Sequence, residues 1–164
     1  MSDRTTARVA LRPALPDDRE FLLGVYESTR VEEVALTPWP EEQRRAFLRQ
    51  QAEAQDADYR RNYGAAAFHV VERDGERIGR LYRGEGLGEL RLIDIALLPD
   101  WRGQGIGSAL IDDVLAEGDR RGMTVVLHVE HWNPARRLYD RRGFVVVAED
   151  GVYARMERAP ATVS

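Results

Sequence analysis

The clearest pattern of apolar and polar positions predicts a strand, a glycine-rich turn and a helix in the second half of the chain. Residues 92–98 are apolar apart from one acid, Asp94. After the glycine-rich stretch 102–107, apolar residues recur at the spacing of one helix face, at Ile106, Leu110, Ile111, Val114 and Leu115. Such a turn brings backbone N–H groups to the positive end of the helix dipole, and its glycines let a ligand approach them. The sequence therefore predicts a site for a phosphorylated cofactor at this turn.

The rest of the chain predicts a mixed sheet with helices between its strands. The expected strands are residues 8–13, 67–73, 77–82, 90–98, 124–129, 144–147 and 152–156. The expected helices are residues 16–28, 40–61, 105–121 and 133–142. The fifth strand is almost wholly apolar, which is typical of a buried parallel strand, and a right-handed crossover places strands four and five side by side. The predicted class is α/β, with an α+β mixed, twisted sheet of seven strands flanked by four helices.

Several phosphate-binding motifs are excluded by the residues at the turn. A nucleotide-hydrolysing loop ends in Gly-Lys-Ser/Thr, whereas Gly107, Ser108 and Ala109 stand here. All 24 basic side chains are arginines, so the chain has no lysine for a phosphate loop or for a pyridoxal Schiff base. A dinucleotide fold needs Gly-x-Gly-x-x-Gly after its first strand, but this turn comes past the middle of the chain with a different spacing. A simple tight turn without a ligand is the alternative.

A second segment, residues 133–144, predicts a short helix. Asn133 is a good N-cap, Pro134 suits the first helical position, and Gly143 suits a left-handed end. The turn has the pattern Arg-x-x-Gly-x-Gly, and this helix has the pattern Asn-x-Ala-x-x-x-Tyr-x-x-x-Gly-Phe. Together they resemble the GNAT superfamily of acetyl-CoA-dependent N-acyltransferases. The resemblance extends more weakly over residues 8–157.

The resemblance implies the GNAT fold, in which strands four and five splay apart and the pantetheine arm of acetyl-CoA lies between them. The main-chain groups of Leu97 and Ile95 are expected along that arm, in the manner of an added strand. The pyrophosphate is expected on four main-chain N–H groups, those of Gln104, Gly105, Gly107 and Ser108. Arg102 is the nearest basic side chain, with a solvated surface arginine as the alternative. Asn133 is expected to reach the cofactor, besides or instead of capping its helix.

The chemistry of the family is the attack of an amine on a thioester carbonyl. A lysine-like amine has a pKa of roughly 10.4, so a proton must leave before or during the attack. Tyr139 matches the family residue that protonates the departing thiolate, with a core tyrosine as the alternative. Asp94 is the first candidate for the base, because an isolated acid in an apolar strand needs a partner or a water-containing cleft. A salt bridge to an arginine is the competing role for Asp94, and Glu130 is the other candidate base.

The acceptor site is predicted only by analogy with the family. The first two helices and the hairpin of strand three border that site, which nominates four aromatic residues: Trp39, Tyr59, Tyr63 and Tyr82. His128 shares a strand face with Glu130 and is expected in the pocket, with a weaker claim as a base. Ordinary packing is the alternative for each of these side chains. The expected acceptor is a small-molecule amine or a peptide amine.

Two other functions stay open at this point. One is a CoA-binding module without transferase activity. The absence of both a tyrosine at position 139 and a suitable base would indicate such a module, but this chain has both. The other is the transfer of a bulkier acyl group such as succinyl. A basic residue beside the thioester would favour that reaction, and Arg80, Arg83 or Arg91 could provide it.

Composition fits a single enzyme domain, expected at residues 7–158 between loose ends at 1–6 and 159–164. A net charge of −4 with interleaved acids and arginines gives no reason to expect nucleic acid as a partner. The chain has no cysteine, and its 3 histidines lack metal-ligand spacing, so neither a disulfide nor a metal is expected. No transmembrane run or signal peptide is recognisable, so we expect a cytoplasmic monomer or homodimer that does not bind membranes.

Overall fold

A computed structural model describes residues 9–161, which form seven strands and four helices. The strands are β1 (Val9–Pro13), β2 (Phe68–Arg73), β3 (Glu76–Gly86), β4 (Glu89–Leu97), β5 (Thr124–Glu130), β6 (Val145–Glu149) and β7 (Tyr153–Arg158). The helices are α1 (Arg19–Ala35), α2 (Glu41–Asn62), α3 (Ile106–Arg121) and α4 (Ala135–Arg141). The strand order is β1-β2-β3-β4-β5-β7-β6, and β4 pairs parallel with β5. The predicted mixed sheet with parallel strands four and five is confirmed.

Parts of the predicted terminal segments lie outside the described residues, namely residues 1–6, residue 8 of the first strand, and residues 162–164. At the C-terminal side, the N–H of Ala161 donates to Asp119 Oδ1 at 2.8 Å. Arg158 Nη1, at the end of β7, donates to the same oxygen at 2.9 Å. These two contacts attach the chain beyond β7 to helix α3.

The described chain forms two compact units, and the first comprises residues 9–82 and 94–106. In this unit β1 pairs antiparallel with β2, and β2 pairs antiparallel with β3, with an irregular register between Val71 and Glu72. Helices α1 and α2 share a buried cluster of Leu23, Tyr26 and Ala52. The strands of this unit contribute fully buried apolar side chains, which include Phe68, Val70, Val71, Ile78 and Leu81.

Helix α1 is longer than its apolar pattern predicts, and the predicted end at residue 28 is wrong. Val34 is only 8% exposed, so the helix continues to bury an apolar face in its last turns. The hydroxyls of Ser28 and Thr29 donate to main-chain carbonyls three residues earlier, both at 2.6 Å. Because these hydroxyls are satisfied within the helix, Ser28 and Thr29 do not end it.

The end of β4 departs from regular strand alternation. Leu90 and Leu92 are buried on one face, but at the end of the strand it is Leu97 that is buried and Ala96 that is partly exposed. Gly79 on β3 gives the reason, because a Cβ at that position would lie 2.8 Å from Leu97 Cδ2. The backbone of β4 at Ala96 and the side chain of Leu97 therefore occupy the space that the absent side chain of Gly79 leaves.

The second unit comprises residues 83–93 and, within the described chain, residues 107–161. Its sheet pairs the start of β4 with β5, from Glu89↔Thr124 to Leu92↔Leu127, and pairs β7 antiparallel with both β5 and β6. Apolar side chains from α3 and from these strands are buried in this unit, among them Leu110, Ile111, Val114, Val125, Leu127 and Met156.

Candidate functional site

Strand β4 leads into the glycine-rich turn through a short 3-10 helix, Pro99–Trp101. The N–H of Arg102 donates to the carbonyl of Pro99, the first residue of that short helix, at 3.2 Å. The side-chain amide of Gln104 donates to the carbonyl of Asp100 at 2.8 Å. Helix α3 then begins at Ile106, whose side chain is buried. The backbone of the turn is thus held by hydrogen bonds before the helix starts.

The glycines of the turn leave its surface open to a ligand. Gly103 and Gly105 have φ values of 73° and 85°, in the left-handed region that favours glycine. A Cβ at either position, or at Gly107, would have no heavy atom within 4 Å. The first N–H groups of a helix have no acceptor within the helix, and in α3 these include the N–H groups of Gly107 and Ser108. Open space beside free N–H groups fits a pyrophosphate, and the predicted cofactor contacts themselves stay predictions.

The side chain of Arg102 is bonded to the protein. Its Nε donates to the carbonyl oxygen of Leu97 at 2.9 Å, and its Nη2 lies 3.2 Å from Ser28 Oγ. The sequence left a solvated arginine and a phosphate ligand as its two roles. The structure adds a third, because this exposed guanidinium links the end of β4 to helix α1.

Asp94 forms the salt bridge that was the competing role for this residue. Its Oδ2 accepts a hydrogen bond from Nη2 of Arg80, a residue that is 4% exposed. Arg80 Nη2 also donates to Gln55 Oε1 at 2.7 Å, and its Nη1 donates to the carbonyl of Leu22 at 3.3 Å. Burial by itself would lower the pKa of Arg80, but the carboxylate of Asp94 raises it. Asp94 is therefore the counterion of a buried guanidinium.

Three of the predicted acceptor residues lie together beside Arg80, and we refer to Tyr59, Tyr63 and Tyr82 as the tyrosine cluster. The ring of Tyr59 is 5.7 Å from that of Tyr82 and 6.5 Å from that of Tyr63, between centroids. The guanidinium carbon of Arg80 lies 4.9 Å from the Tyr82 ring centroid. Burial raises the pKa of both Tyr59 and Tyr82 above the ordinary value. Among the described residues, the buried Tyr82 hydroxyl has no hydrogen-bond partner.

The fourth aromatic residue, Trp39, packs on a different ring. Trp39 follows helix α1 in the connection to α2, and its ring meets that of Phe47 edge-on at a centroid distance of 5.2 Å. In the same connection, Arg44 Nη2 donates to the carbonyl of Thr37 at 2.6 Å. The structure thus gives Trp39 a packing role, and its contact with an acceptor stays a prediction.

In the second unit, Asn133 and Gly143 delimit helix α4 as their residue types predict. Asn133 Oδ1 accepts the N–H of Ala135 at 2.9 Å, and Gly143 ends the helix with a φ of 88°. Tyr139 on this helix is 7% exposed, and its ring lies 5.6 Å from the ring of Phe144. The capping role of Asn133 is therefore present, and the buried ring of Tyr139 is fixed by packing.

Strand β5 carries His128 and Glu130 on one face, and β7 continues that face. In the antiparallel register His128 lies opposite Arg155, and Glu130 lies opposite Tyr153. A groove of about 270 Å³ is lined by His128, Ala148, Glu149, Asp150, Tyr153 and Arg155. Desolvation lowers the pKa of His128, and the charges of Arg91 and Arg155 lower it further. The surroundings of His128 in this groove therefore favour the neutral imidazole over the cation.

Sequence reasoning did not single out Tyr153, Arg155 or Ser28. For the first two a signal existed, because strand alternation places residues 153 and 155 on one face of β7, as it places 128 and 130 on one face of β5. Ser28 had no such signal, because it lies 74 positions from Arg102 in the sequence. A contact of that kind depends on the packed fold.

Residues 9–161 contain no group of three or more histidine, aspartate or glutamate side chains that could hold a metal ion. No helix in that part of the chain is long and apolar enough to cross a membrane.

Comparison with protein families gives one match. The model of the family described as Acetyltransferase (GNAT) family matches residues 28–144, a range that includes the turn and the whole Asn133–Phe144 segment. A comparison with curated proteins finds no match.

Solved structures share the fold at low sequence identity. The PaiA N-acetyltransferase of Thermoplasma acidophilum, crystallised with coenzyme A, has 20% identity and a TM-score of 0.66 over 92% of this chain and 98% of its own. Ard1 of Thermoplasma volcanium has 22% identity and a TM-score of 0.65, with coverages of 94% and 99%. The ribosomal-protein-S18-alanine N-acetyltransferase of Escherichia coli has 19% identity and a TM-score of 0.62, with coverages of 95% and 96%.

Proposed function

The chain belongs to the GNAT acetyltransferase family, and from this membership we propose that it transfers the acetyl group of acetyl-CoA to a primary amine. The observation that carries the proposal is the open turn with left-handed Gly103 and Gly105 at the start of helix α3. Bound acetyl-CoA would supply an acetyl group already activated as a thioester. The residues of the chain would bind this cosubstrate, orient the amine and move its proton.

Main-chain groups of the turn and of β4 would bind the cosubstrate. The pyrophosphate would lie on the N–H groups of Gln104, Gly105, Gly107 and Ser108, and the pantetheine amides would pair with Ile95 and Leu97. The carbonyl of Leu97 already accepts one hydrogen bond from Arg102, and its second lone pair is available for the pantetheine arm. Because the side-chain oxygen of Asn133 caps α4, its NH₂ group is the part that would reach the cosubstrate.

Proton removal from the amine would use Asp94, with Glu130 as the second candidate. One oxygen of Asp94 contacts Arg80, and the residue is partly exposed, so its other oxygen can accept a proton or bind the ammonium group. Glu130 lies at the end of β5 on the same face as His128. The lowered pKa of His128 favours its neutral form, which suits a side chain that lines a pocket.

Proton donation to the leaving thiolate would use Tyr139. The family pattern supports this role, because Tyr139 occupies its tyrosine position in the segment between Asn133 and Gly143. Burial and the contact with Phe144 hold the ring in one orientation, which a general acid requires.

The acceptor would be a small-molecule amine or a peptide amine near the tyrosine cluster. The partly exposed rings of Tyr59 and Tyr63 can pack on an apolar stem, while Asp94 can attract an ammonium group. The E. coli neighbour is named for an alanine of a ribosomal protein, which supports peptide amines among the candidates.

The contacts of three arginines favour acetyl over a charged acyl group such as succinyl. Arg80 is paired with Asp94, Arg83 with Glu117 at 2.7 Å, and Arg91 with Glu89 at 3.1 Å. Each of these three guanidinium groups, which could otherwise pair with the carboxylate of a succinyl group, already pairs with a carboxylate of the protein.

The test has two parts, a binding measurement and a screen. At 100 times its dissociation constant, acetyl-CoA should stabilise the folded chain by about 2.7 kcal/mol, which a thermal melt detects. Amines, amino acids and short peptides are then screened with acetyl-CoA, and the released thiol is measured. Succinyl-CoA in the same melt and the same screen tests the acyl preference.

The outcomes separate the three functions. Stabilisation by acetyl-CoA with thiol release for an amine supports the proposal. Stabilisation without thiol release from any acceptor would instead support a CoA-binding module. Melting that acetyl-CoA leaves unchanged would contradict the proposed function altogether.

A further inference from the structure

The hydrogen bonds of Arg102 form a continuous connection between helix α1 and the end of β4. Arg102 Nε donates to the Leu97 carbonyl at 2.9 Å, while Nη2 lies 3.2 Å from Ser28 Oγ and 3.4 Å from the Ser28 carbonyl. Ser28 Oγ in turn donates to the carbonyl of Val25, a residue that is 0% exposed. The guanidinium is thus anchored on a helix turn that is itself fixed in the core.

The peptide group after Leu97 is held at both of its polar ends. Its carbonyl accepts the hydrogen bond from Arg102, and its N–H, which belongs to Leu98, donates to the Ile78 carbonyl at 2.9 Å. Because a peptide group is planar, bonds at both ends fix the direction of the free lone pair of the carbonyl. Hydrogen bonds from a guanidinium are stronger than those from neutral donors, which adds to this constraint.

We propose that Arg102 is a positioning residue, which orients the Leu97 carbonyl for the pantetheine arm of the cosubstrate and does not bind phosphate. The inference rests on the proposed function, since it assigns Arg102 a place in the same cosubstrate site. The planar fork of the guanidinium serves Leu97 and Ser28 at the same time. A lysine has the same charge but a single ammonium group, which does not reproduce this fork.

Two ligands separate positioning from phosphate binding. Coenzyme A contains both pantetheine and pyrophosphate, whereas ADP contains the pyrophosphate without the pantetheine arm. The dissociation constants of both ligands are measured by calorimetry for the wild type and for Arg102→Ala, Arg102→Lys and Ser28→Ala. No acceptor amine is needed for these measurements.

We expect the dissociation constant of CoA to rise about tenfold in Arg102→Ala and nearly as much in Arg102→Lys. The expected size corresponds to the loss of one charge-assisted hydrogen bond. Ser28→Ala should weaken CoA less, about threefold, because the Ser28 carbonyl still accepts from Arg102. The dissociation constant of ADP should stay within about twofold in every variant, since it makes no pantetheine contact. Arg45→Ala changes the net charge equally at an exposed position of α2 and should affect neither ligand.

Two results would overturn the inference. One is wild-type affinity for CoA in Arg102→Lys, which would show that only the charge matters. The other is an equal weakening of ADP and CoA in Arg102→Ala, which would place the guanidinium on the pyrophosphate. Failure of the wild type itself to bind CoA would contradict the proposed function and this inference with it. The wild-type titration alone distinguishes that outcome from a failure of the inference.

Discussion

One oxygen of the Asp94 carboxylate contacts the buried guanidinium of Arg80, and this contact ties a catalytic proposal to the stability of the fold. A buried cation without a counterion is expensive, so removal of the carboxylate charge leaves Arg80 poorly compensated. Gln55 and the Leu22 carbonyl remain as neutral partners of the guanidinium. The effects of an Asp94 substitution on folding and on turnover must therefore be measured separately.

The substitution Asp94→Asn should reduce the free energy of unfolding by about 3 kcal/mol, because it breaks one partly buried ion pair. Per folded molecule, kcat/KM should fall most at low pH and recover partly as the pH rises, since the fraction of free amine grows. Urea unfolding gives the first quantity, and a pH–rate profile gives the second. An unaltered profile together with the lost stability would transfer the base role to Glu130 or to solvent.

Arg80→Met provides the matched control for Asp94→Asn. It breaks the same ion pair and keeps the bulk of an apolar stem, but it leaves the carboxylate in place. If Asp94 is the base, this variant loses stability while it keeps a carboxylate-dependent pH profile.

The hydroxyl of Tyr139 is expected to contribute to kcat and not to the binding of acetyl-CoA. Tyr139→Phe keeps the buried ring and its contact with Phe144 but removes the hydroxyl. General acid catalysis contributes typically about 10²–10⁴-fold, so kcat should fall on that order while the dissociation constant of acetyl-CoA changes little. Tyr26→Phe is the control, because Tyr26 is equally buried at 7% exposure and its hydroxyl accepts from Arg30 at 3.1 Å. Equal kcat values for both variants would make Tyr139 a packing residue.

At the residue scale, chemistry with a local pattern could be predicted and long-range partners could not. The acid within the apolar run at Asp94 indicated a need for a partner, and an arginine was among the predicted ones. Which arginine it is depends on β3 lying beside β4, and the role of Arg102 depends on Ser28, 74 positions away. Alternation and motif spacing carry no information about such pairs.

Among the structural elements, the turn before α3 is the one that both the family pattern and the backbone geometry indicate as the cosubstrate site. Gly105→Glu should abolish the stabilisation by acetyl-CoA, because a side chain with a negative charge would occupy the open space beside the N–H groups. The measurement is the shift in melting temperature at saturating acetyl-CoA.

Gly75→Glu is a closely matched control for Gly105→Glu. Gly75 has a φ of 83°, against 85° for Gly105, and a Cβ at either position meets no heavy atom within 4 Å. Backbone strain and added charge are therefore alike, but Gly75 lies in the hairpin between β2 and β3. Gly75→Glu should keep the full acetyl-CoA shift, and a folded Gly105→Glu protein that also kept it would place the pyrophosphate elsewhere.

The ends of elements were predictable where one residue type decides them. The side chain of Asn133 caps the start of helix α4, and the left-handed backbone of Gly143 ends it. Both features follow from local chemistry. The extension of α1 to Ala35 and the burial of Leu97 were not predictable in this way. They depend on the packing of Val34 and on the space beside Gly79, which only the folded chain defines.

Across the whole molecule, the cations of the side-chain ion pairs are mainly arginines, because the chain has no lysine. Pairs between exposed side chains, such as Arg45 with Glu41 or Arg61 with Asp58, each contribute little to stability. Asp18 is different, because it is 3% exposed and accepts from Arg12 at 2.7 and 2.8 Å, and from Arg77 at 3.2 Å. Its contribution to global stability should therefore be large and dependent on pH.

The hydrogen bonds from Arg12, the N–H of Leu15 and Arg77 hold the pKa of Asp18 well below its ordinary value, although burial opposes them. A lowered pKa in the folded state means that the stabilisation is complete above the unfolded pKa of about 3.9 and is lost as the pH falls below it.

We expect Asp18→Asn to reduce the free energy of unfolding by roughly 3–5 kcal/mol at pH 7. The difference from wild type should be constant down to about pH 5 and then shrink by about 1.4 kcal/mol for each pH unit below about pH 4. Urea unfolding at several pH values measures it, with the exposed neighbour Asp17→Asn as a control that stays within about 0.5 kcal/mol of wild type. A difference between Asp18→Asn and wild type that did not change with pH would assign the effect to packing, because an electrostatic contribution must disappear when the carboxylate is protonated.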